Sequence, residues 1–310
     1  MNRHTILSLG TTLVGLICLT RGDIYPDIAD ISHASQPAAD FFQGYFTAKS
    51  FHNATRWQQF FDPTQAVYYD AVLGDALTSF SEIVSEFTEI TQEWPKNATS
   101  FPLQILGDMS SAVVRYVDTP GLFGAEIRTI SAFDFRSDKV TRQVDYWDGR
   151  RNPVIAERVP YDQYPSDLGL SSLNGLDEGA APEMNRTAQR LNAALSTGDA
   201  EAAAAQFSYD AIFEDLTLRT REDGQLAIGR YLQRALAQLP YGPGASVRHV
   251  LGSAKGGGYE WKTDGQTVPN GITALELDGC GLITRLTTVW DGSRMSDSAI
   301  QAQAALSIEP

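Results

Sequence analysis

Hydrophobic positions fall along this chain at helical and then strand-like spacings, and the same succession occurs in each half. Between Ala38 and Lys49, Phe41 stands four residues before Tyr45 and Phe42 four before Phe46, which predicts an amphipathic helix. Asn53 is placed to cap a short second helix carrying Trp57, Phe60 and Phe61. Residues 66–71 are rich in Val and Tyr and read as a strand. Past Gly74, the residues Leu77, Phe80, Val84 and Phe87 are spaced three, four and three apart, the stripe of a longer helix. Four strands are then expected near 102–106, 112–118, 125–135 and 139–148, separated by Gly107-Asp108, Pro120-Gly121 and Ser137-Asp138.

The second half repeats this order. It predicts a helix at 184–195, a cap at Asp199, an alanine-rich helix to Phe207, a strand at 211–215 and a helix at 224–239. Strands follow near 247–253, 258–262, 271–277 and 282–290. The run Val140-Thr-Arg-Gln-Val-Asp-Tyr-Trp-Asp-Gly149 recurs as Ile283-Thr-Arg-Leu-Thr-Thr-Val-Trp-Asp-Gly292. Asp70 finds its counterpart in Asp215, an offset of 215 − 70 = 145 residues against 290 − 147 = 143 for the tryptophans. A period that long marks a duplicated domain, not a solenoid. The expected boundaries are a first domain at 35–150, a Pro- and Gly-rich linker at 151–183, a second domain at 184–294 and a polar, alanine-rich tail at 295–310.

Composition narrows the function classes. At 310 residues each half can bury its own core, and 43% apolar with 20% charged residues is ordinary globular usage. The net charge of −14, with no Lys/Arg cluster, argues against nucleic acid as a partner. Residues 1–22 read as a secretory signal: Arg3 and His4 precede an apolar run from Ile6 to Leu19 that is short for a membrane span. After cleavage no membrane association is expected, and the protein is expected outside the cell. Sequons at Asn53, Asn97 and Asn185 suit a glycosylated secreted chain. Only Cys18 and Cys280 are present, so the mature chain holds no internal disulfide, and Cys280 in Asp278-Gly-Cys-Gly281 reads as an exposed turn thiol.

Two short helices, a strand, a longer helix and four antiparallel strands ending in an aromatic-Trp-Asp run resemble the NTF2-like fold, and in wording its SnoaL-like branch. The residues that carry this are Tyr68-Tyr-Asp-Ala-Val-Leu-Gly74 and 134–148 in the first half, and Glu214-Asp215, 226–232 and 277–291 in the second. The resemblance implies α+β architecture: two tandem cone-shaped domains, each a curved, mostly antiparallel sheet wrapped around helices. It further implies a pocket for a small apolar or polycyclic molecule and cofactor-independent acid/base isomerase or cyclase chemistry; a non-catalytic binding or interaction protein is the alternative. Family members commonly pair through their sheets, so a monomer with an intramolecular pseudo-dimer is expected. The ending Val144-Asp-Tyr-Trp-Asp148 is similar to the Arg-Asp-Tyr-Phe-Asp of limonene epoxide hydrolase, whose first aspartate is catalytic and matches Asp145. Val144 replaces that arginine and no Arg-x-Asp stands on the preceding strand, which argues against epoxide hydrolysis.

The candidate catalytic residues are Asp145, Tyr69 and Asp70, and the candidate pocket lining is Trp57, Phe61, Tyr68, Gln143 and Trp147. Strand alternation puts Gln143, Asp145 and Trp147 on one face and Arg142, Val144 and Tyr146 on the other. If the tryptophan faces a pocket, Asp145 is a buried carboxylate fit for proton transfer; if it faces outward, Asp145 is a solvated charge. Asp70 recurs as Asp215, which suits either a structural corner or catalysis. Tyr69 could donate to an oxyanion or simply pack. A second-domain pocket would be marked by Asp215, Thr288 and Trp290, where Thr288 stands in place of Asp145. The four histidines show no paired spacing, and neither a nucleophile elbow, a phosphate loop nor a dinucleotide fingerprint is present, so no metal or cofactor is expected.

Overall fold

The computed structural model describes residues 29–174 and 179–309, so the expected signal at 1–22 lies outside the described residues. In the first unit the chain runs β1 (Asp30–Ala34), α1 (Gln36–Ser50), α2 (Ala54–Trp57), β2 (Val67–Asp70), β3 (Asp75–Leu77) and α3 (Phe80–Glu93). Then come β4 (Ser100–Gly107), β5 (Ser111–Asp118), α4 (Pro120–Phe123), β6 (Ile127–Arg136) and β7 (Lys139–Tyr146). The second unit comprises α5 (Pro182–Ser196), α6 (Ala200–Ala204), β8 (Phe207–Asp215), β9 (Thr220–Asp223) and α7 (Gln225–Ala235). It continues through β10 (Ala245–Gly252), β11 (Gly256–Thr263), β12 (Asn270–Leu277), β13 (Ile283–Trp290) and α8 (Asp297–Ala305).

Each unit is a sheet wrapped around helices, the tandem α+β arrangement expected of SnoaL-like, NTF2-like domains. The first sheet has the order β1-β4-β5-β6-β7-β2-β3 and the second β10-β11-β12-β13-β8-β9. The four hairpin-linked strands of each are antiparallel, and the early strand returns parallel to the last one, β2 along β7 and β8 along β13. That return sets Asp70 beside Asp145 and Asp215 beside Thr288. Strands β1, β3 and β9 lack the Val- and Tyr-rich composition that marks β2 and escape the sequence reading.

Local chemistry fixes the helix starts. Ser35 accepts from Ala38 N ahead of α1, and Ser79 with Glu82 forms a reciprocal capping box that opens α3 at Phe80. That start sets the rotation of α3, whose buried stripe is Ile83, Phe87 and Thr91; Val84 is only half-buried and Leu77 belongs to β3. Asn53 and Asp199 cap α2 and α6 through their side-chain oxygens, as their positions predict. The first core gathers Phe42, Phe46, Trp57, Phe61, Phe87 and Phe133 between helices and sheet.

The outward faces of the two sheets meet. Val113, Ile130, Ala132 and Val144 of the first sheet share one buried layer with Leu251, Ile272, Ala274 and Val289 of the second. Burying each of the larger aliphatic side chains contributes roughly 1.5–3 kcal/mol. Gly107 (φ +114°) ends β4 where a Cβ would come within 3.2 Å of Gly252 Cα, so the close approach of the strand ends requires glycine.

Through this layer runs a buried polar network. Arg142, with its side chain 0% exposed, donates to both Glu260 oxygens at 2.8 and 2.7 Å, to Asp134 Oδ2 at 3.1 Å and to Leu168 O at 2.7 Å. Tyr146 donates to Glu260 Oε1 at 2.6 Å, and His249 Nε2 lies 2.8 Å from Asp134 Oδ1. Burial opposes the Arg142 charge, but Glu260 and Asp134 outweigh it and push its pKa upward.

The segment between the units, expected as the linker, is pinned to both of them. It makes short 3-10 turns at Pro153–Glu157, Tyr161–Gln163 and Leu170–Leu173. Arg158 pins it by donating to Val72 O at 2.9 Å and to Asp291 Oδ2 at 2.6 Å, while Tyr164 donates to Val72 O. The C-terminal segment, whose polar, alanine-rich sequence suits a frayed helix, forms α8, which buries Ile300 and donates from Gln303 Nε2 to Gln238 O at 2.7 Å.

Candidate active site

Alternation along β7 sends Gln143 and Asp145, and Trp147 just beyond, to the concave side of the first sheet, where they line a cavity of about 520 Å³. Asp145 accepts four hydrogen bonds there. Tyr68 and Tyr116 donate to Oδ2 at 2.7 and 2.9 Å, and Ser131 and Gln143 to Oδ1 at 2.5 and 2.9 Å. Every bond has the carboxylate as acceptor, so its four lone-pair positions are occupied. Tyr45 on α1 donates to Gln143 Oε1 at 2.9 Å and extends the chain of hydrogen bonds to the helix. Burial first, and then the charge of Asp145, push the phenols of Tyr68, Tyr116 and Tyr45 well above their usual range, so all three stay protonated donors.

Asp70 sits next to Asp145 on the adjoining strand. Its Oδ1 accepts from Val72 N and Leu73 N at 2.8 Å each, and its Oδ2 from Trp147 Nε1 at 2.9 Å. Burial outweighs these bonds and, with Asp145 nearby, pushes the Asp70 carboxyl up to about 7. Asp215 repeats the arrangement: Oδ1 accepts from Thr217 N and Leu218 N, and Oδ2 from Trp290 Nε1 at 3.1 Å. Burial lifts it to about 6. One bond differs. Tyr241 donates to Oδ2 of Asp215 at 3.0 Å, whereas among the described residues Oδ2 of Asp70 takes only the indole and the carboxyl lines the cavity.

Also in the cavity lining, Lys49 pairs with Asp118 at 2.9 Å, both side chains about 5% exposed. The ammonium lies 5.6, 5.0 and 6.0 Å from the ring centres of Trp57, Tyr116 and Phe123. Burial pushes Asp118 upward against the opposing pull of Lys49. Ile90 and Glu86 of α3, Phe123 of α4 and Val154 and Glu157 of the connecting segment complete the wall.

Three sequence expectations need correction. Tyr69 follows Tyr68 on β2 and therefore points the other way, into the layer between the sheets beside Val67 and Ile130, away from Asp145. Phe61 does not line the cavity; it is 1% exposed and packs edge-on against Phe87 in the core. Trp57 does line the cavity, stacked on Phe87 at 3.6 Å. In the second unit Asp215, Thr288 and Trp290 meet, but within a packed interior. All three are at most 1% exposed, and Phe213, Tyr231, Tyr241 and Trp261 fill the space around them. Thr288 donates to Ile272 O at 3.0 Å, so the residue in place of Asp145 serves the backbone.

Sequence reading missed Tyr116, Ser131, Lys49 and Asp118. Ser131 stands directly opposite Asp145 in the β6–β7 register, and register is what no single strand reveals. The asparagines of the three sequons, Asn53, Asn97 and Asn185, are all exposed. Among the described residues no His, Cys, Asp and Glu group could hold a metal ion, and no helix is long and apolar enough to cross a membrane.

No protein-family model matches this chain, and no curated protein matches it. Solved structures similar to it include a SnoaL-like protein of unknown function from Burkholderia thailandensis, at 14% identity and TM-score 0.32, covering 37% of this chain and 98% of that one. A steroid delta-isomerase from Pseudomonas aeruginosa has 13% identity and TM-score 0.32 over 42% of this chain and 93% of its own. An NTF2-like protein of unknown function from Cytophaga hutchinsonii has 9% identity and TM-score 0.31 over 36% and 91%.

Proposed function

We propose that the first unit binds a small apolar or polycyclic molecule and moves a proton on it without a cofactor, as an isomerase or cyclase does. The observation that carries this reading is the pair of adjacent carboxylates, Asp70 and Asp145, in one cavity with opposed environments. Asp145 is an acceptor saturated by four donors, whereas Asp70 has a carboxyl that titrates near 7 and an oxygen with room for a ligand. A carboxyl lifted into the neutral range and open to a ligand is suited to general acid/base proton transfer. Proton transfer, which the sequence suggested for Asp145, is therefore assigned to Asp70, with Asp145 fixing Tyr68 and Tyr116 on the wall.

The test is a panel of β,γ-unsaturated cyclic ketones, followed by the rise in conjugated-enone absorbance. Wild-type turnover that falls at least 100-fold in Asp70→Asn supports the reading, a loss in the usual range for removing a general acid or base. Turnover that survives that change contradicts it. The second reading is binding without turnover. It is favoured by the sharing of the Asp-Trp corner with the second unit, and a ligand that co-purifies unmodified would support it.

The wider reading is of a secreted, glycosylated chain cleaved after its signal. The two sheets take the place of a dimer contact within one polypeptide, leaving it monomeric. Mass measurement of the secreted protein before and after glycosidase tests the first statement, and light scattering the second.

A further inference from the structure

The charges around the cavity of the first unit are one-sided. Its lining carries seven carboxylates, Asp70, Asp75, Glu86, Glu93, Asp118, Asp145 and Glu157, against one base, Lys49. Lys49 is neutralised at 2.9 Å by Asp118. Asp75, Glu93 and Glu157 are exposed and Glu86 half-buried, which places them at the mouth, while Asp70 and Asp145 lie within. Burial, and then the repulsion of Asp75, Glu89 and Glu157, push the Glu86 carboxyl upward, so these groups repel one another.

The apolar part of the wall is aromatic: Trp57, Phe87, Trp94, Phe123 and Trp147. Ring faces attract ammonium groups, most strongly where water is excluded. The cavity already shows this in one place, where the Lys49 ammonium lies within 6.0 Å of the Trp57 and Phe123 ring centres. An anion entering would meet the carboxylate rim and no free base in the lining. A neutral molecule would be tolerated. A protonated amine on an apolar frame would gain from both the rim and the rings.

We infer that the natural ligand of the first unit is a cation, an alkyl- or polycyclic ammonium compound whose apolar body fills the aromatic cavity and whose charge faces the Asp75–Glu86–Glu157 rim. This inference rests on reading the cavity as a small-molecule site. It is tested with three probes of one shape, 1-aminoadamantane, 1-adamantanol and adamantane-1-carboxylate, titrated at pH 7 and low salt while the tryptophan emission is followed. The amine should bind at least tenfold tighter than the alcohol, and the carboxylate weakest. In Glu86→Gln/Glu157→Gln, two changes outside the proposed proton-transfer pair, the amine-to-alcohol ratio should fall to about threefold or less. Raising salt on the wild type should lower it too, because exposed rim charges are screened. Equal binding of amine and alcohol, or a ratio indifferent to the rim substitutions, overturns the inference while leaving the small-molecule site standing. Binding of none of the three overturns both.

Discussion

Trp147 donates its indole N–H to Asp70 at 2.9 Å, and the same bond ties the matching pair in the second unit, Trp290 to Asp215 at 3.1 Å. The bond joins the end of the last strand to the corner after the early one, so it holds the parallel strand of each sheet in place. A corner present twice has a structural duty in both units. In the first its carboxylate lines the cavity beside Asp145, whereas in the second Asp215 is 0% exposed and takes a second donor, Tyr241, on the same oxygen.

Trp290→Phe should therefore cost stability. It leaves Oδ2 of a fully buried carboxylate with one donor fewer, at a cost of about 1.5–3 kcal/mol for a hydrogen bond to a charged group. Urea denaturation should show a lower midpoint with an unchanged slope.

The two corner carboxylates also set a pH dependence. Their folded values, about 7 and about 6, lie above the unfolded value of 3.8, so in this window the folded state binds more protons than the unfolded one. Stability from these groups is full below about 4 and falls as pH rises to about 7. The melting temperature should decline across that range, and Asp215→Asn should flatten the part between about 4 and about 6. A profile that rises from pH 4 to 7 and is unchanged in Asp70→Asn and Asp215→Asn would contradict this.

Arg142 offers a test of how the units are joined. Arg142→Met leaves Glu260 and Asp134 buried without their shared cation and should destabilise by about 3–5 kcal/mol. Adding Glu260→Gln should recover part of that loss, since the uncompensated charge is removed. A double-mutant cycle by chemical denaturation measures the coupling.

Ile272→Arg puts an unpaired charge into the layer between the sheets, where Ile272 is 0% exposed. Two unfolding transitions in place of one are expected as the units lose their shared face. The mass by light scattering should remain that of a single chain.

Much of this architecture was legible because the periodic segments are long. The 3.6-residue stripe of α1 and the turn signals between β4 and β7 locate those elements to within a few residues. Strands β3 and β9 were not legible: they lack the Val- and Tyr-rich composition of β2 and owe their pairing to β2 and β8. At the site, alternation grouped Gln143, Asp145 and Trp147 correctly, and only packing could decide which face held the cavity. The same alternation separates Tyr68 from Tyr69, yet a pattern cannot say which of two adjacent tyrosines meets a carboxylate. Ser131 and Tyr116 reach Asp145 through strand register, and Lys49 reaches Asp118 across 69 residues of chain. Such pairings exist only in the folded molecule.

The central claim is that Asp70 is a neutral-range carboxyl open to a ligand while Asp215, in the same motif, is closed. Carbon-detected NMR of the aspartate side-chain carboxyls, titrated with and without 1-aminoadamantane, tests it most directly. The account predicts one signal with a midpoint near 7 that disappears in Asp70→Asn and moves when the amine binds, and one near 6 that disappears in Asp215→Asn and does not move. An Asp70 carboxyl that titrates near 4, or that ignores the ligand while Asp215 responds, would contradict it.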